Sequence, residues 1–218
     1  MGQTKHRRSA LGLVTLLMAG LLAWPSVGIA QLGGLLPSPS STTTSTVVGD
    51  ASAARVSVLG ILGTATTTAL TDTGTLSGVN DARDASMDTG TVPSVLTGEV
   101  LSAGTISWPD EVDSAVSLAN LNMSVAGIGI SADSVYSAAS QVLGAAGIGS
   151  STISNLSING TPIAVTGDPN QTVSIPGGQV VINEQTISST GTAVVNAVHA
   201  TVAGVADVGI ASATAGIA

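Results

Sequence analysis

From Val47 onward, apolar and polar positions alternate in short runs, and the period-2 pattern predicts strands. "ARVSVLGI" places Val56 and Val58 on one parity, and "TGTLSG" and "GTISW" alternate in the same way. Gly, Asn, Asp and Pro separate the runs. This spacing predicts one all-β domain over residues 47–218, an antiparallel β-sandwich of about ten to twelve strands, with a β-solenoid-like stack as the alternative. No Gly-Gly-x-Gly-x-Asp repeat supports the solenoid. "SADSVYSAASQVLGAAG" (131–147) suits a helix through its Ala and Gln, and a strand through its Ser and Val.

Two segments carry sharper signals. In "DEVDSAVSLANLNMSVAGIGI" (110–130), Val112, Val116 and Leu118 share even parity, whereas Leu121, Met123 and Val125 share odd parity. No regular strand turns both sets to one face, so a bulge, break or bend is expected near Asn120, as in a strand that crosses between sheets. In "STISNLSINGTPIAVTG" (151–167), Asn159-Gly160 is the pair favoured for a two-residue hairpin turn. "DPNQ", "PGG" and "SSTG" mark further turns before a last strand, "ADVGIASATAG".

The first residues read differently. Lys5, Arg7 and Arg8 precede the short apolar run "LGLVTLLMAGLLAW" and the small residues "PSVGIA". That order predicts a signal peptide over 1–30. A flexible Gly/Pro/Ser/Thr lead-in, "QLGGLLPSPSSTTTST" (31–46), is expected to follow. The apolar run is short for a membrane span, so a secreted or cell-surface protein without stable membrane insertion is expected.

Composition narrows the function. Beyond the leader there is no lysine, and Arg55 and Arg83 face all thirteen carboxylates. Such a chain cannot neutralise a phosphate backbone, which argues against nucleic-acid partners. Cys and Phe are absent, and Trp108 and Tyr136 are the aromatics outside the leader. The core must be aliphatic, without disulfides.

Candidate chemistry is sparse. His199 is the one histidine outside the leader, no G-x-S-x-G motif occurs, and a zinc site would lack ligands. No catalytic residue and no resident cofactor are expected. Calcium is the candidate worth naming, because oxygen ligands in Gly-rich loops suit it. Asp72, Asn80, Asp81, Asp84 and Asp88 form one set, and Asp110, Glu111 and Asp113 another, without EF-hand spacing. Solvated acidic loops are the competing reading. In "GGQVVINEQTISSTGTAVVNAVHATVA" (177–203), polar Asn183, Glu184 and Gln185 interrupt an apolar strand. Asn196 and His199 on the next strand are the expected partners, giving a structural polar cluster that pins the hairpin register. In a regular strand His199 would share a face with Val195 and Ala197, and Asn196 with Val194 and Val198.

The order of "SAVSLANLNMSVAGIGISADSVYSAAS", "NLSINGTPI", "IPGGQVVINEQ", "TAVVNAVHATV" and "ADVGIASATAG" resembles the choice-of-anchor P family of bacterial secreted proteins. The resemblance spans roughly residues 50–217. It implies a secreted or surface β domain and carries no catalytic residue over to this chain. The chain ends at "ASATAGIA" with no LPxTG-type motif, so no covalent anchor is expected. The reading that follows is a structural protein of the envelope or matrix. It would be non-catalytic, pairing through strand edges with copies of itself or with other envelope components. The alternative is an extracellular binding module for carbohydrate or calcium, with Trp108 as the candidate sugar contact.

Overall fold

The structure, a computed structural model, describes residues 45–59 and 64–218. The expected leader and nearly all of the lead-in fall outside that range. The fold is all-β, 72% strand, with two antiparallel sheets that do not close into a barrel. Among the described residues there is no helix, and 131–147 is mostly strand. Among the described residues thirteen strands form, slightly more than the pattern predicts, because two are two-residue ladders flanking a turn.

The first sheet contains β1 (Val47–Leu59), β2 (Ala65–Asp72), β10 (Gln171–Ile175), β11 (Gly178–Ile187), β12 (Ala193–Val202) and β13 (Ala206–Ile217). Its order is β10-β11-β12-β13-β1-β2. The second contains β3 (Ala82–Val92), β4 (Leu96–Ser107), β5 (Glu111–Val125), β6 (Ile128–Val142), β7 (Ile148–Ser154), β8 (Ser157–Ile158) and β9 (Thr161–Pro162). Its order is β3-β4-β5-β6-β8-β9, with β7 also pairing β6. Strands stack over strands in matching sequence: β13 lies on β5 and β6, β1 on β4 and β5, and β12 on β6 and β7. The chain thus meanders through the second sheet and returns to set its last strand beside its first.

The core face of β1, β12 and β13 is rich in alanine: Ala51, Ala53, Ala54, Ala197, Ala211, Ala213 and Ala215 are all at most 1% exposed. Larger side chains oppose them from the second sheet, including Leu101, Val112, Val116, Leu121, Ile130 and Val135. Small against large lets the sheets approach and interdigitate, which replaces the missing phenylalanines. Polar bonds stitch the layers together. Ser114 Oγ donates to the Thr214 carbonyl at 2.6 Å, and Ser137 Oγ to the Ala211 carbonyl at 2.6 Å. Gln141, 1% exposed, accepts from Ile217 N at 2.9 Å and donates to the carbonyls of Ala145 and Thr190.

One feature of the fold positions the polar residues of its outer face. Asn120 adopts φ +50° inside β5, and the buried set changes there from Val112, Ser114, Val116 and Leu118 to Leu121, Met123 and Val125. The strand does not cross between sheets. It stays paired with β6 on both sides of Asn120, and a single left-handed residue reverses its parity. The same reversal runs across both sheets. In the first sheet, the register aligns Thr71 (φ +52°), Ala53, Ala211 (φ +49°), Ala197 and Asn183 (φ +52°). In the second it aligns Asp88 with Val100 (φ +49°), and Asn120 with Asp133 and Asn155 (φ +53°); the two groups meet where the β4–β5 register shifts around Glu99. A left-handed residue is tolerated best by Asn among non-glycines, and Asn stands at three of these positions.

At this crease the first sheet buries neighbouring residues, Ala53 with Ala54, Ala197 with Val198, and Ile210 with Ala211. The second sheet instead exposes neighbours, Glu99 with Val100 and Asp133 with Ser134. Inward on one layer and outward on the other is the pattern of two nested bends, which keeps the layers in contact along strands of up to 15 residues.

Other local expectations fare variously. Asn159 (φ +50°) and Gly160 (φ +74°) make the tight turn between β8 and β9. "TGTLSG" (73–78) is a loop rather than a strand, because Gly74 turns the chain at φ +65° and Leu76 drops into the core, its N–H bonding the Gly49 carbonyl at 2.9 Å. Trp108 lies half-buried in the β4–β5 turn, its N–H bonding the Glu111 carbonyl at 2.8 Å.

Candidate functional site

The crease assembles a polar cluster on the outer face of the first sheet. Asn196 and His199 are three residues apart, so a regular strand would put them on opposite faces. Parity reverses between buried Ala197 and Val198, and both side chains therefore point outward. The faces assigned by simple alternation are corrected accordingly: His199 does not share a face with Ala197, nor Asn196 with Val198.

Glu184 of β11, opposite Asn196, receives both. Asn196 Nδ2 donates to Glu184 Oε2 at 2.6 Å. His199 Nδ1 lies 2.9 Å from Glu184 Oε1 and 2.8 Å from Oε2. On its other side His199 Nε2 lies 3.0 Å from Asp207 Oδ1 of β13. Ser212 Oγ donates to Asn196 Oδ1, completing a path over three strands. Gly209 stands opposite His199 in β13, and a Cβ there would lie 3.2 Å from Ser212 Oγ. Its bare backbone leaves room for the cluster.

Asn183 and Gln185 form a separate pair beside it. Asn183 is buried at the crease, donates to the Gly167 carbonyl at 3.0 Å and accepts from Gln185 Nε2 at 2.9 Å. It ties β11 to the loop returning from the second sheet. The five polar residues thus divide into Glu184–Asn196–His199 on the outer face and Asn183–Gln185 at the strand's bend.

Electrostatics follows from this geometry. Burial on its own lowers the His199 pKa, but its hydrogen bonds to Glu184 and Asp207, reinforced by their charges, raise it above its ordinary value. Protonated, the ring donates to a carboxylate from each nitrogen. Neither nitrogen is then free to take a proton from a nucleophile, and Ser212, the nearest hydroxyl in the network, donates to Asn196 instead. Asp207 borders a groove of about 620 Å³ at the sheet end, beside Thr201, Val202, Val205 and Ala206.

The acidic candidates do not converge. Asp72 Oδ1 accepts from Gly74 N at 2.7 Å, while its Oδ2 lies 3.5 Å from Arg55 Nη2. Arg55 chiefly grips Asp50, at 2.5 and 2.6 Å. Asp81 accepts from Ser77 N at 2.7 Å and from Arg83 Nε at 3.2 Å, and the Ser77 bond leads in holding its pKa below the ordinary value. Asp84 and Asp88 stand exposed along β3, and Asn80 sits in the turn before it. Asp110, Glu111 and Asp113 surround the start of β5, where burial and the two aspartates raise the Glu111 pKa. Among the described residues no three His, Cys, Asp or Glu side chains gather as a metal would need. Linear proximity misleads here, because alternation along a strand and engagement with Arg55 and Arg83 turn the carboxylates apart.

A second surface feature is a groove of about 480 Å³ on the second sheet. Thr97, Asn122, Ser131 and Ser157 cross it in register, and no charged residue lines it. Nothing in the sequence pattern singles it out, since its residues come from five separate segments.

Comparison with known proteins returns no match: no family model, no curated protein and no solved structure is similar to this chain.

Proposed function

We propose that this chain is a secreted or cell-surface structural protein of the envelope or extracellular matrix, without catalytic activity, that associates with copies of itself through strand edges. The observation that carries this reading is the character of those edges. On an acidic chain, β2 over Ala65–Thr71, β7 and β10 hold no charged residue. Soluble sheet proteins ordinarily guard such edges with charges or proline, because unpaired backbone groups recruit other strands.

Three further points agree with it. The outward imidazole of His199 is occupied on both nitrogens. The core is stitched across its layers by buried Ser and Gln, which suits a rigid building unit. The leader-like first thirty residues and the resemblance to choice-of-anchor P proteins suit export.

The test is sedimentation velocity of the exported chain over a wide concentration range, with negative-stain imaging and envelope fractionation of the producing cells. Concentration-dependent assembly and recovery outside the cytoplasm are expected. A strictly monomeric species at high concentration, or a cytoplasmic location, would overturn the proposal.

The uncharged groove on the second sheet favours a second reading, a binding module for a neutral polyhydroxylated ligand such as a glycan. Glycan-array binding that is lost in Asn122→Ala would support it, and binding lost only in Trp108→Ala would move the contact to the turn.

A further inference from the structure

We infer that β2 is the edge through which two copies of this chain pair, antiparallel and about a two-fold axis, joining two six-stranded sheets into one. The inference rests on the self-association proposed above and names its surface.

Four observations single out β2. It pairs with β1 along its whole length, from Ser52↔Asp72 to Leu59↔Ala65, and among the described residues nothing pairs with its other edge. Its first five residues, Ala65–Ala69, are all exposed, so among the described residues nothing covers this part of β2. Leu59 and Val205 beside it are 45% and 41% exposed and line the neighbouring groove with Val58 and Val202. Finally, "ATTTAL" holds neither charge, Pro nor Gly.

The other edges are guarded or broken. β3 carries Arg83, Asp84 and Asp88. β10 has five residues and runs into Pro176. β7 contains Gly149 and ends at Ser154, after which Asn155 turns the chain at φ +53°.

The occupant follows from charge and symmetry. Two chains this acidic approach most closely where neither bears charge. An antiparallel two-fold pairing of "ATTTAL" with itself sets threonine against threonine or alanine, and each backbone donor meets an acceptor. Threonine pairs across strands contribute favourably, and the exposed Leu59 and Val205 of each copy gain cover.

The test uses the exported full chain. Thr66→Lys with Thr68→Lys places like charges across the proposed axis, and Thr152→Lys on β7 serves as the matched control. All are exposed positions, and circular dichroism with thermal melting verifies the fold of each variant. Expected is dimerisation weakened about tenfold or more by the β2 lysines and unchanged by Thr152→Lys. Backbone amides of residues 65–71 should also exchange more slowly at associating concentrations. Association that survives the β2 lysines and is lost in Thr152→Lys would overturn the assignment of the edge while leaving self-association standing. An unvarying monomer in the unmodified chain would overturn both.

Discussion

Asn196 and His199, three residues apart on β12, reach the same carboxylate, that of Glu184. Only a reversal of strand parity between them permits it. The same reversal explains why Arg55 and Asp50, five residues apart on β1, meet on one face at 2.5 Å. The crease at Ala53 and Ala197 is therefore what converts scattered polar residues into a surface network.

The crease is strained where its left-handed residue is not Asn. Val100 holds φ +49° while 68% exposed, so its side chain gains little from burial there. Val100→Asn is expected to raise stability by about 1 kcal/mol, and Asn120→Val to lower it by about 1–2 kcal/mol. Urea unfolding followed by circular dichroism measures both. Equal stabilities would show that these backbone angles cost nothing.

Gln141 is the most heavily used side chain between the layers. Gln141→Leu leaves the buried Ile217 N–H and the Ala145 and Thr190 carbonyls without this partner. A loss of about 2–4 kcal/mol is expected in chemical denaturation. A change below about 0.5 kcal/mol would mean that water or another group replaces it.

Stability should depend on pH through His199. Its folded pKa lies above its ordinary value of 6.5. The stabilisation is thus fully present below that value and is lost as pH rises through the folded pKa. The thermal midpoint is expected to fall over this window, and the fall should be smaller in His199→Gln. An equal fall in both proteins would assign it to other groups.

Calcium should leave the fold unmoved. Because Asp72 and Asp81 are engaged by Arg55 and Arg83 and the other acids stand apart, melting in millimolar calcium and in chelator is expected to coincide. A saturable rise in midpoint with calcium would show that the acidic loops gather around the ion.

The sequence disclosed some of this fold and concealed the rest, for identifiable reasons. The reversal at Asn120 was legible because Leu118 and Leu121 are too large and apolar to face water. The reversal on β12 was not, because Val and Ala fill both parities of "VVNAVHATV" and give alternation nothing to sort. Glu184 was legible as a misfit in an apolar strand, and Asn196 and His199 as its available partners. Asp207 was not, since its role depends on the β12–β13 register. The hydroxyls and amide that bind across the layers escaped notice because Ser and Gln are as common on surfaces as inside. The alternation of "TGTLSG" misled because one buried leucine among Gly and Thr imitates a strand.

The most direct test of the account is an NMR titration of the His199 ring in the unmodified chain and in Glu184→Gln. A pKa above the ordinary histidine value, falling towards it in Glu184→Gln with the fold retained, is expected of an imidazolium fixed between two carboxylates. A pKa at or below the ordinary value, unmoved by the substitution, would mean that the ring is a free base and that the cluster is not the architecture described.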